Sequence, residues 1–517
     1  MKKRIPILAM NYRYWLTMLL CAAYILPAYS QGGGEATTSA IRLPPSGLQS
    51  SSVTVHQSAP APSGSSVSVQ IQVPGAYAGS IQLPETTPDG LNLTLDEAIR
   101  RGLQANLGIV SSSISVQESK ADRAEARSAL LPNIAVNASE NASKMDLATE
   151  GFSASAFGIS TGIKFPTTVG PFHYYDIHGA VHQSLLDVTA IRNMKAREQS
   201  LEADLLQSKQ AREEVILATT GIYLQLLADI ALGERQKAEV DFAEATYKQA
   251  QSQADAGNKA PIEATRSLVE LQQEKQRLRS QLGEIEKRQI QLAQLIGLPP
   301  GTHIKLVEKL AALTTEEYSV TALIQRAWSQ RFDLKGSEAQ LRAAEEARKA
   351  ASSQRLPSIT VNGTYGLQGV NPNQGATVFQ ASASLNIPIF EGGRIEADTA
   401  RADAAVAQRR AELVDQRKTV EADVRTAWID LQVADDQVIL AESNRQLALQ
   451  TLQQSQDRFS VGVADSVEVV NSQETLAAAD HDFVNSVFSQ HLAKITLAHA
   501  MGEAERDMHD LFERKMQ

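Results

Sequence analysis

The sequence predicts a mainly α-helical protein with membrane β-hairpins, built from a duplicated helix–hairpin–helix–helix unit. Two near-identical stretches, LPNIAVN from Leu131 and LPSITVN from Leu356, begin 225 residues apart. Each follows a long, charged, Ala-rich segment, and its proline ends a helix because it lacks an N–H and biases the preceding residue toward extended conformations. Aromatic residues make up only 5% of the chain, which suits long helices with Ala-rich seams.

Composition argues against several classes of protein. The chain has 517 residues, which is long enough for two or three domains. Its formal net charge of -10 argues against a nucleic-acid partner, because nucleic-acid binding needs a basic face. Cys21 is the only cysteine, so a chain processed after residue 30 would have neither a disulfide nor a thiolate site.

Residues 1–30 have the order of charged, apolar and small residues that is typical of a secretory signal peptide. Basic residues precede an apolar run from Tyr14 to Leu26, and small residues follow it. We therefore expect cleavage before Gln31. A lipoprotein signal with acylation of Cys21 is the alternative, although the residues before Cys21 fit a lipobox poorly and more apolar residues follow it.

The rest of the chain divides into a tether, two equivalent units and a tail. These are residues 31–90, rich in Gly, Ser, Pro and Thr, then 91–302, 316–503 and 504–517. Equivalent residues are 225 apart before the hairpins and 205 apart after them, where DAGNKAPIEATRSLVEL (255–271) matches SVGVADSVEVVNSQETL (460–476). The sequence therefore predicts a tandem duplication in which mainly one segment changes length.

Each unit is predicted to contain one β-hairpin. The strands fall over about 132–144 and 172–186, and over about 357–368 and 378–390, and apolar residues alternate with polar ones as in a two-faced strand. A hairpin in a membrane and a half-buried sheet in a soluble domain both give this alternation. The clustering of aromatic residues in the two hairpin windows favours the membrane, where such residues form interface girdles.

Hairpins in a membrane would force the chain to oligomerise. Four strands cannot close a barrel, because about eight is the minimum. Open sheet edges are not tolerated in lipid. Several chains would therefore have to share one barrel.

The helices are predicted to be long and to pack as coiled coils. Residues 190–255 show one pattern without a break, and residues 262–296 carry a heptad seam of Leu and Ile. The segment Val215–Leu232 is apolar enough for a transmembrane helix. Its counterpart, residues 424–440, contains an arginine and three aspartates, so we interpret both segments as the inner seam of a helix bundle.

Two further motifs, with the duplication and the signal peptide, make the chain resemble the TolC-type outer membrane efflux family. They are NIPIFEGGRI (386–395) and RFSVGVADSVEVVNSQETL (458–476), and the resemblance spans residues 91 to about 503. It implies a homotrimer with a twelve-stranded barrel in outer-membrane lipid and a long α-helical coiled-coil tunnel in the periplasm of a Gram-negative type cell. It also implies a passive exit duct for efflux or type I secretion, with a periplasmic adaptor and an inner-membrane pump as partners.

The resemblance also assigns roles to individual residues. Gly257 and Gly462 interrupt helical patterns at equivalent places and predict tight turns between antiparallel helices. In the family these turns form the periplasmic tip, where an adaptor docks, and the neighbouring candidates are Val461, Phe459 and Arg458. Gly392 and Gly393 are expected to form the strand-to-helix turn of the second unit, whereas the first unit must make this turn without glycine.

The tunnel aperture implied by the resemblance consists of Glu468, Glu263 and Asp465. A purely structural interpretation is also open, because Asp465 and Glu468 have the spacing of a capping box. The chain departs from well-studied members of the family at three positions. It has Phe459 and Ala464 in place of a tyrosine and an arginine that lock the tip, and Asn471 in place of an acidic residue.

No enzyme motif or cofactor-binding motif is found in the sequence, so we expect a protein without catalytic activity or cofactor. His178 and His182 have a metal-like spacing, but no third ligand is evident and we predict no metal site. Two classes of function remain open at this stage. One is the outer-membrane conduit, and the other is a periplasmic coiled-coil structural or adaptor protein that is not inserted in the membrane.

Overall fold

The computed structural model describes residues 54–57, 69–72, 75–81, 91–146, 168–257, 260–313, 319–460, 463 and 466–505. The predicted signal peptide lies outside the described residues, as do four residues of the predicted tip: Val461, Gly462, Ala464 and Asp465.

The helices and strands follow the order that the duplication predicts. Before the first unit come β1 Thr54–Gln57, β2 Val69–Gln72 and the one-turn helix α1 Gly75–Ala78. The first unit comprises β3 Leu91–Leu93, α2 Leu95–Ala105, α3 Leu107–Ser128, β4 Asn133–Asp146, β5 Thr168–Leu186, α4 Val188–Asp255 and α5 Pro261–Leu295. After β6 Ile304–Leu306, the second unit comprises α6 Val320–Gln330, α7 Phe332–Ser353, β7 Ser358–Gly369, β8 Ala376–Asn386, α8 Arg394–Ser460 and α9 Ser466–Met501.

The two units match closely in their helices and differ in their hairpins. Helices α2 and α6 both have 11 residues, and α3 and α7 both have 22. Helices α4 and α8 have 68 and 67 residues, and α5 and α9 have 35 and 36. Strands β4 and β5 have 14 and 19 residues, whereas β7 and β8 have 12 and 11. The change of offset from 225 to 205 therefore arises within the hairpin region.

The two hairpins combine into one antiparallel sheet with the strand order β4-β5-β7-β8. Strands β5 and β7 pair across the two units, which leaves β4 and β8 at the edges. The shorter sheets are an antiparallel pair, β1 with β2, and a parallel pair, β3 with β6.

The register of the four-stranded sheet separates its residues into an apolar face and a polar face, because residues directly opposite each other on paired strands share a face. The register that joins Val136, Gly179, Tyr365 and Phe379 defines the apolar face. Its large side chains are open to the surroundings in the single chain: Val136 is 76% exposed and Phe379 is 79% exposed. The register that joins Asn133, His182, Asn362 and Ser382 defines the polar face.

The predicted strand over 378–390 ends earlier in the structure, at Asn386, which pairs with Ser358 at the start of β7. The alternating pattern continued through Ile387 and Ile389, but both residues lie outside the strand. Beyond Asn386 no partner residue remains on β7, and Pro388 has no N–H to give to a ladder. Strand β5 differs in the other direction, since it begins at Thr168 rather than near 172.

Each unit has a sharp break between its first two helices, at Asn106 and at Arg331, which are equivalent residues. Both have an extended backbone, with ψ of 131° and 127°. Asn106 is fully buried; its side chain accepts a hydrogen bond from the Gly108 N–H at 2.9 Å and donates to the Tyr77 carbonyl at 2.7 Å. Arg331 is also buried, and its guanidinium donates to Asp333 and Asp423 at 2.6 and 2.8 Å.

Part of the predicted tether packs against the first of these breaks. The Ile81 N–H donates to the Ala105 carbonyl, and the Leu107 N–H donates to the Gly79 carbonyl. The Tyr77 ring covers Gly108 so closely that a Cβ atom there would lie 2.3 Å from it. Residues 75–81 thus depart from the low-complexity interpretation of 31–90, because their backbone supplies partners to a buried helix end.

Helix α4 is the one described helix that is long and apolar enough to cross a membrane by length and composition. In its most apolar window, 78% of the residues are buried inside the protein. Tyr223 lies there, fully buried, and donates a hydrogen bond to the Leu93 carbonyl at 3.0 Å. The apolar stretch therefore packs in a core with α2, α5 and α9, as the inner-seam interpretation expects.

Helix α5 has two apolar stripes that follow a seven-residue spacing. One stripe packs against α4: Leu271, Leu278, Ile285 and Leu292. The second stripe, Ile262, Val269 and Ile290, is about half exposed and is interrupted by Gln276 and Gly283 at the intervening seven-residue positions. The predicted heptad seam is thus correct for the first stripe, but Leu268 and Leu282 of that prediction are 36% and 41% exposed.

Candidate functional site

The first of the two predicted tip turns joins α4 to α5. The Ala256 and Gly257 N–H groups donate to the Ser252 and Ala254 carbonyls and so satisfy the helix end. Gly257 has a φ of +72°, which a residue with a side chain rarely adopts, and this conformation is why the turn needs glycine. Pro261 then starts α5 at a position that suits its missing N–H.

The second turn joins α8 to α9 at the equivalent place. The Val463 N–H donates to the Arg458 carbonyl at 2.9 Å, which closes the end of α8. Glu468 is in the first turn of α9, where a carboxylate is favoured by the helix dipole. The partner proposed for the capping box, Asp465, lies outside the described residues.

Glu468 forms an ion pair across this turn. The Arg458 Nη1 atom lies 3.0 Å from Glu468 Oε1, and both side chains are more than one-third exposed. Exposed pairs of this kind contribute about 0–1 kcal/mol to stability. Their main effect is therefore to place one positive and one negative charge together at the turn.

The first unit uses a different partner for its equivalent carboxylate. Glu263 pairs with Arg266 one turn further along α5, at 3.0 Å. The residue equivalent to Arg458 is Gln253, and the residue equivalent to Arg266 is Asn471. Each unit thus has one arginine near its tip carboxylate. In the first unit this arginine follows the turn, and in the second unit it precedes the turn.

Above the second turn, α8 and α9 are held together by a buried hydroxyl pair. Ser455 and Ser472 are 4% and 7% exposed, and their Oγ atoms are 2.8 Å apart. Phe459 is half-buried at the end of α8, next to Arg458. The structure therefore brings Arg458, Phe459 and Glu468 to one end of the α8–α9 pair.

The strand-to-helix turns of the two units differ as expected. In the second unit Gly392 and Gly393 have φ values of +61° and +86° and lead into α8. In the first unit β5 passes directly into α4, and the Asp187 side chain accepts a hydrogen bond from the Ala190 N–H at 2.9 Å. An aspartate N-cap thus replaces the glycine pair.

The structure also shows an acidic group that the sequence did not single out. Glu239 on α4 faces Glu274 on α5 and Asp480 on α9. Burial and the charges of Glu274 and Asp480 raise the pKa of Glu239 to about 7. The charge of Arg277 opposes this shift. Burial and the charge of Glu274 also raise the pKa of Glu270. The three helices come from both units, so no local sequence motif contains this cluster.

His178 and His182 both lie on the polar face of β5, where their contacts are to neighbouring strands and to Asp176. Within the described ranges, no group of three or more His, Cys, Asp and Glu side chains is placed to hold a metal ion.

Comparison with known proteins identifies the class to which this architecture belongs. Residues 323–503, nearly the whole second unit, match the family described as "Outer membrane efflux protein". The outer membrane protein TolC of Vibrio cholerae is 26% identical over 219 residues, which cover 39% of this chain and 50% of TolC. The chain thus matches half the length of that relative. The pyoverdine export outer membrane protein OpmQ of Pseudomonas aeruginosa is 24% identical over 422 residues, which cover 79% of this chain and 85% of OpmQ.

A solved structure has the same fold. The outer membrane protein VceC of Vibrio cholerae superimposes with a TM-score of 0.66 at 19% identity, over 79% of this chain and 96% of VceC. Residues 323–503 thus match the outer membrane efflux protein family, and the chain is similar to outer membrane channels of this type, the resemblance that its sequence motifs predicted.

The acidic cluster leads to a prediction about stability and pH. A carboxyl whose pKa rises from 4.5 unfolded to about 7 folded favours folding below pH 4.5, and this contribution is lost as pH rises through 7. We expect Glu239→Gln to raise the thermal unfolding temperature at about pH 8 and to change it little at about pH 4.5. Thermal scans in detergent at both pH values measure this effect.

Glu244→Gln is the matched control on the same helix. Glu244 is exposed, and its pKa is lowered by Lys248, so its replacement should give no gain in unfolding temperature at about pH 8. An equal gain in both variants would show that Glu239 is not held near its neutral form by its neighbours.

Proposed function

We propose that the protein is the outer-membrane channel of a tripartite efflux or type I secretion system and acts as a passive trimeric exit duct. The observation that carries the proposal is the four-stranded antiparallel sheet with one apolar face, whose strands β5 and β8 lead into two helices of 68 and 67 residues. The match of residues 323–503 to the outer membrane efflux family and the similarity to outer membrane proteins support a location in the outer membrane of a Gram-negative type cell.

The sheet needs partners because both of its edges are open. Strand β4 pairs only with β5, and strand β8 pairs only with β7, within the described residues. Unpaired backbone groups are not tolerated in lipid, and about eight strands are needed to close a barrel. The family resemblance implies twelve strands, which is three chains of four.

Exposed stripes on the long helices support the same assembly. The half-exposed stripe of α5 consists of Ile262, Val269 and Ile290, and α8 carries a second stripe with seven-residue spacing, Val433, Leu440 and Leu447. Stripes with this spacing pair in coiled coils. We infer that α8 of one chain packs against α5 of the next, a head-to-tail contact that closes into a ring.

The assembled helices would form the periplasmic part of the duct. A helix of 68 residues at 1.5 Å per residue is about 100 Å long. The tip turns at Gly257 and Gly462 would then lie far from the membrane, where an adaptor protein of an inner-membrane pump can reach them. The exposed apolar sheet face argues against the alternative of a periplasmic adaptor, because a sheet in water would not expose it.

The tip carries the charges that would select permeant ions. A ring of three Glu468 carboxylates at a narrow opening favours cations, since their fields add. Each Glu468 is accompanied by Arg458 at 3.0 Å, which reduces that field. The resemblance places Glu263 and Asp465 in the same aperture region.

The two faces of the sheet should tolerate charge differently. Ala383→Lys puts a charge on the apolar face of β8, opposite Val361, and should cost about 2–4 kcal/mol near the middle of the bilayer. Ser384→Lys lies next to it on the polar face and should assemble normally. The yield of heat-dissociable oligomer in outer membranes measures both; equal yields would show that the apolar face is not turned to lipid.

The two charges of the tip should act in opposite directions on selectivity. In planar bilayers, Glu468→Gln should lower the preference for K⁺ over Cl⁻ and weaken block by a trivalent cation. Arg458→Gln should raise the preference for K⁺ and strengthen the block. This substitution introduces the residue type that the first unit has at the equivalent position, Gln253. Changes of the same sign in both variants would mean that the charges act through stability and not through the pore field.

A further inference from the structure

The polar face of the sheet carries two histidines on β5. His178 and His182 lie four residues apart on β5, and their side chains point to the same face because they are an even number of residues apart. Asn137 of β4 lies opposite His178, and Asn362 of β7 lies opposite His182. Amides and hydroxyls make up most of the remaining polar face.

The paired strand segments contain no lysine or arginine. This holds for residues 133–143, 172–186, 358–369 and 376–386, which comprise the described sheet up to the bulge after Ser143. The other titratable side chains that share the polar face with the two histidines in these segments are Asp176 and Tyr174. Histidine is thus the one residue type that can give this part of the sheet a positive charge.

Each imidazole is held by an oxygen at Nδ1. His178 Nδ1 lies 2.9 Å from Asp176 Oδ1, and His182 Nδ1 lies 2.6 Å from Asn362 Oδ1. Both contacts are made by an N–H on Nδ1 that donates to the oxygen, which leaves Nε2 as the atom that gains a proton on acidification. The amide of Asn137 lies 3.5 Å from His178 Nε2 and can turn its oxygen toward the new N–H.

We propose that His178 and His182 form a titratable selectivity site inside the barrel, which attracts small anionic solutes when its imidazoles are protonated. The proposal rests on the trimeric channel proposed above, in which the polar face lines the water-filled lumen. Three chains then contribute six imidazoles and three Asp176 carboxylates. Protonation of the imidazoles would change the net charge of this belt from negative to positive.

The position of the site separates it from the tip. Four residues along a strand span about 13 Å, so the two histidines form two layers within the membrane part of the duct. Glu468 is at the other end of the 67-residue helix that follows β8. The barrel would therefore set one selectivity that depends on pH, and the tip a second one that depends on Glu468 and Arg458.

The test compares ion selectivity at about pH 8 and about pH 5.5 in planar bilayers with a KCl gradient. Wild-type channels should lose roughly threefold or more of their K⁺ over Cl⁻ permeability ratio on acidification. The double variant His178→Gln, His182→Gln should keep its pH 8 ratio at pH 5.5, with an unchanged single-channel conductance at pH 8 to show that it assembles.

His173→Gln is the matched control on the same strand. His173 pairs with Ala142, on the other face of the sheet, and its side chain is 62% exposed. This variant should show the full wild-type change with pH. Loss of the change in this variant, or its persistence in the double variant, would overturn the proposal while leaving the channel itself established.

If the double variant does not assemble, the wild-type protein alone still tests the proposed histidine site. Open channels whose permeability ratio is the same at both pH values would contradict the histidine site. Absence of any conductance at either pH would instead contradict the proposed channel function, and with it the site that rests on it.

Discussion

Backbone N–H and C=O groups cannot be left unpaired in lipid, and this requirement determines how the four-stranded sheet can be used. The chain supplies four antiparallel strands and stops, with β4 and β8 each lacking a second neighbour in the described chain. The apolar face makes water an unfavourable environment for this sheet, and the open edges make lipid unfavourable for a single copy. Association of several chains would satisfy both conditions at once, and we propose that the exposed stripes on α5 and α8 form the contact between chains below the sheet.

Duplication explains why the two units have nearly equivalent helices. The breaks between the first two helices of each unit are nevertheless completed in different ways. The breaks at Asn106 and Arg331 occur at the same place in the two units, but they are satisfied by different parts of the chain. Residues 75–81 cover the first break, whereas Arg331 is held by Asp333, Asp423 and the C-terminal end of α9, where the Ala500 carbonyl lies 3.5 Å away. The segment before the duplicated units thus completes the first helix junction, whereas residues of the second unit itself complete the second.

Much of this fold could be predicted from the sequence, because it depends on local signals. The prolines of the two LP stretches, the alternation along the strands and the heptads of α5 predicted the order of elements. The end of β8 was misplaced because alternation continued through Ile387 and Ile389, whereas the ladder ends where β7 ends. Residues 75–81 were assigned to the tether because their composition carries no sign of the buried break that they cover.

The candidate site was predictable only in part, because some of its features depend on contacts between distant segments of the chain. Gly257 was identified because a glycine that interrupts a helical pattern predicts a tight turn, and Glu468 because the family resemblance implies an acidic residue at the aperture. The ion pair of Glu468 with Arg458 depends on how the turn folds back, and the raised pKa of Glu239 depends on three helices from both units. Contacts between distant segments leave no periodic signal in the sequence.

The most direct test of the account is disulfide crosslinking between the two edge strands. Asn137→Cys on β4 is combined with Ser382→Cys or Ser384→Cys on β8, in a chain whose only native cysteine lies in the predicted signal peptide. Within one chain the two edges are three strand spacings apart, about 14 Å, which is too far for a disulfide. A barrel shared by three chains should give products of two and three chains and none larger on non-reducing gels. A ladder beyond three chains, or no product from reactive thiols in the outer membrane, would contradict it.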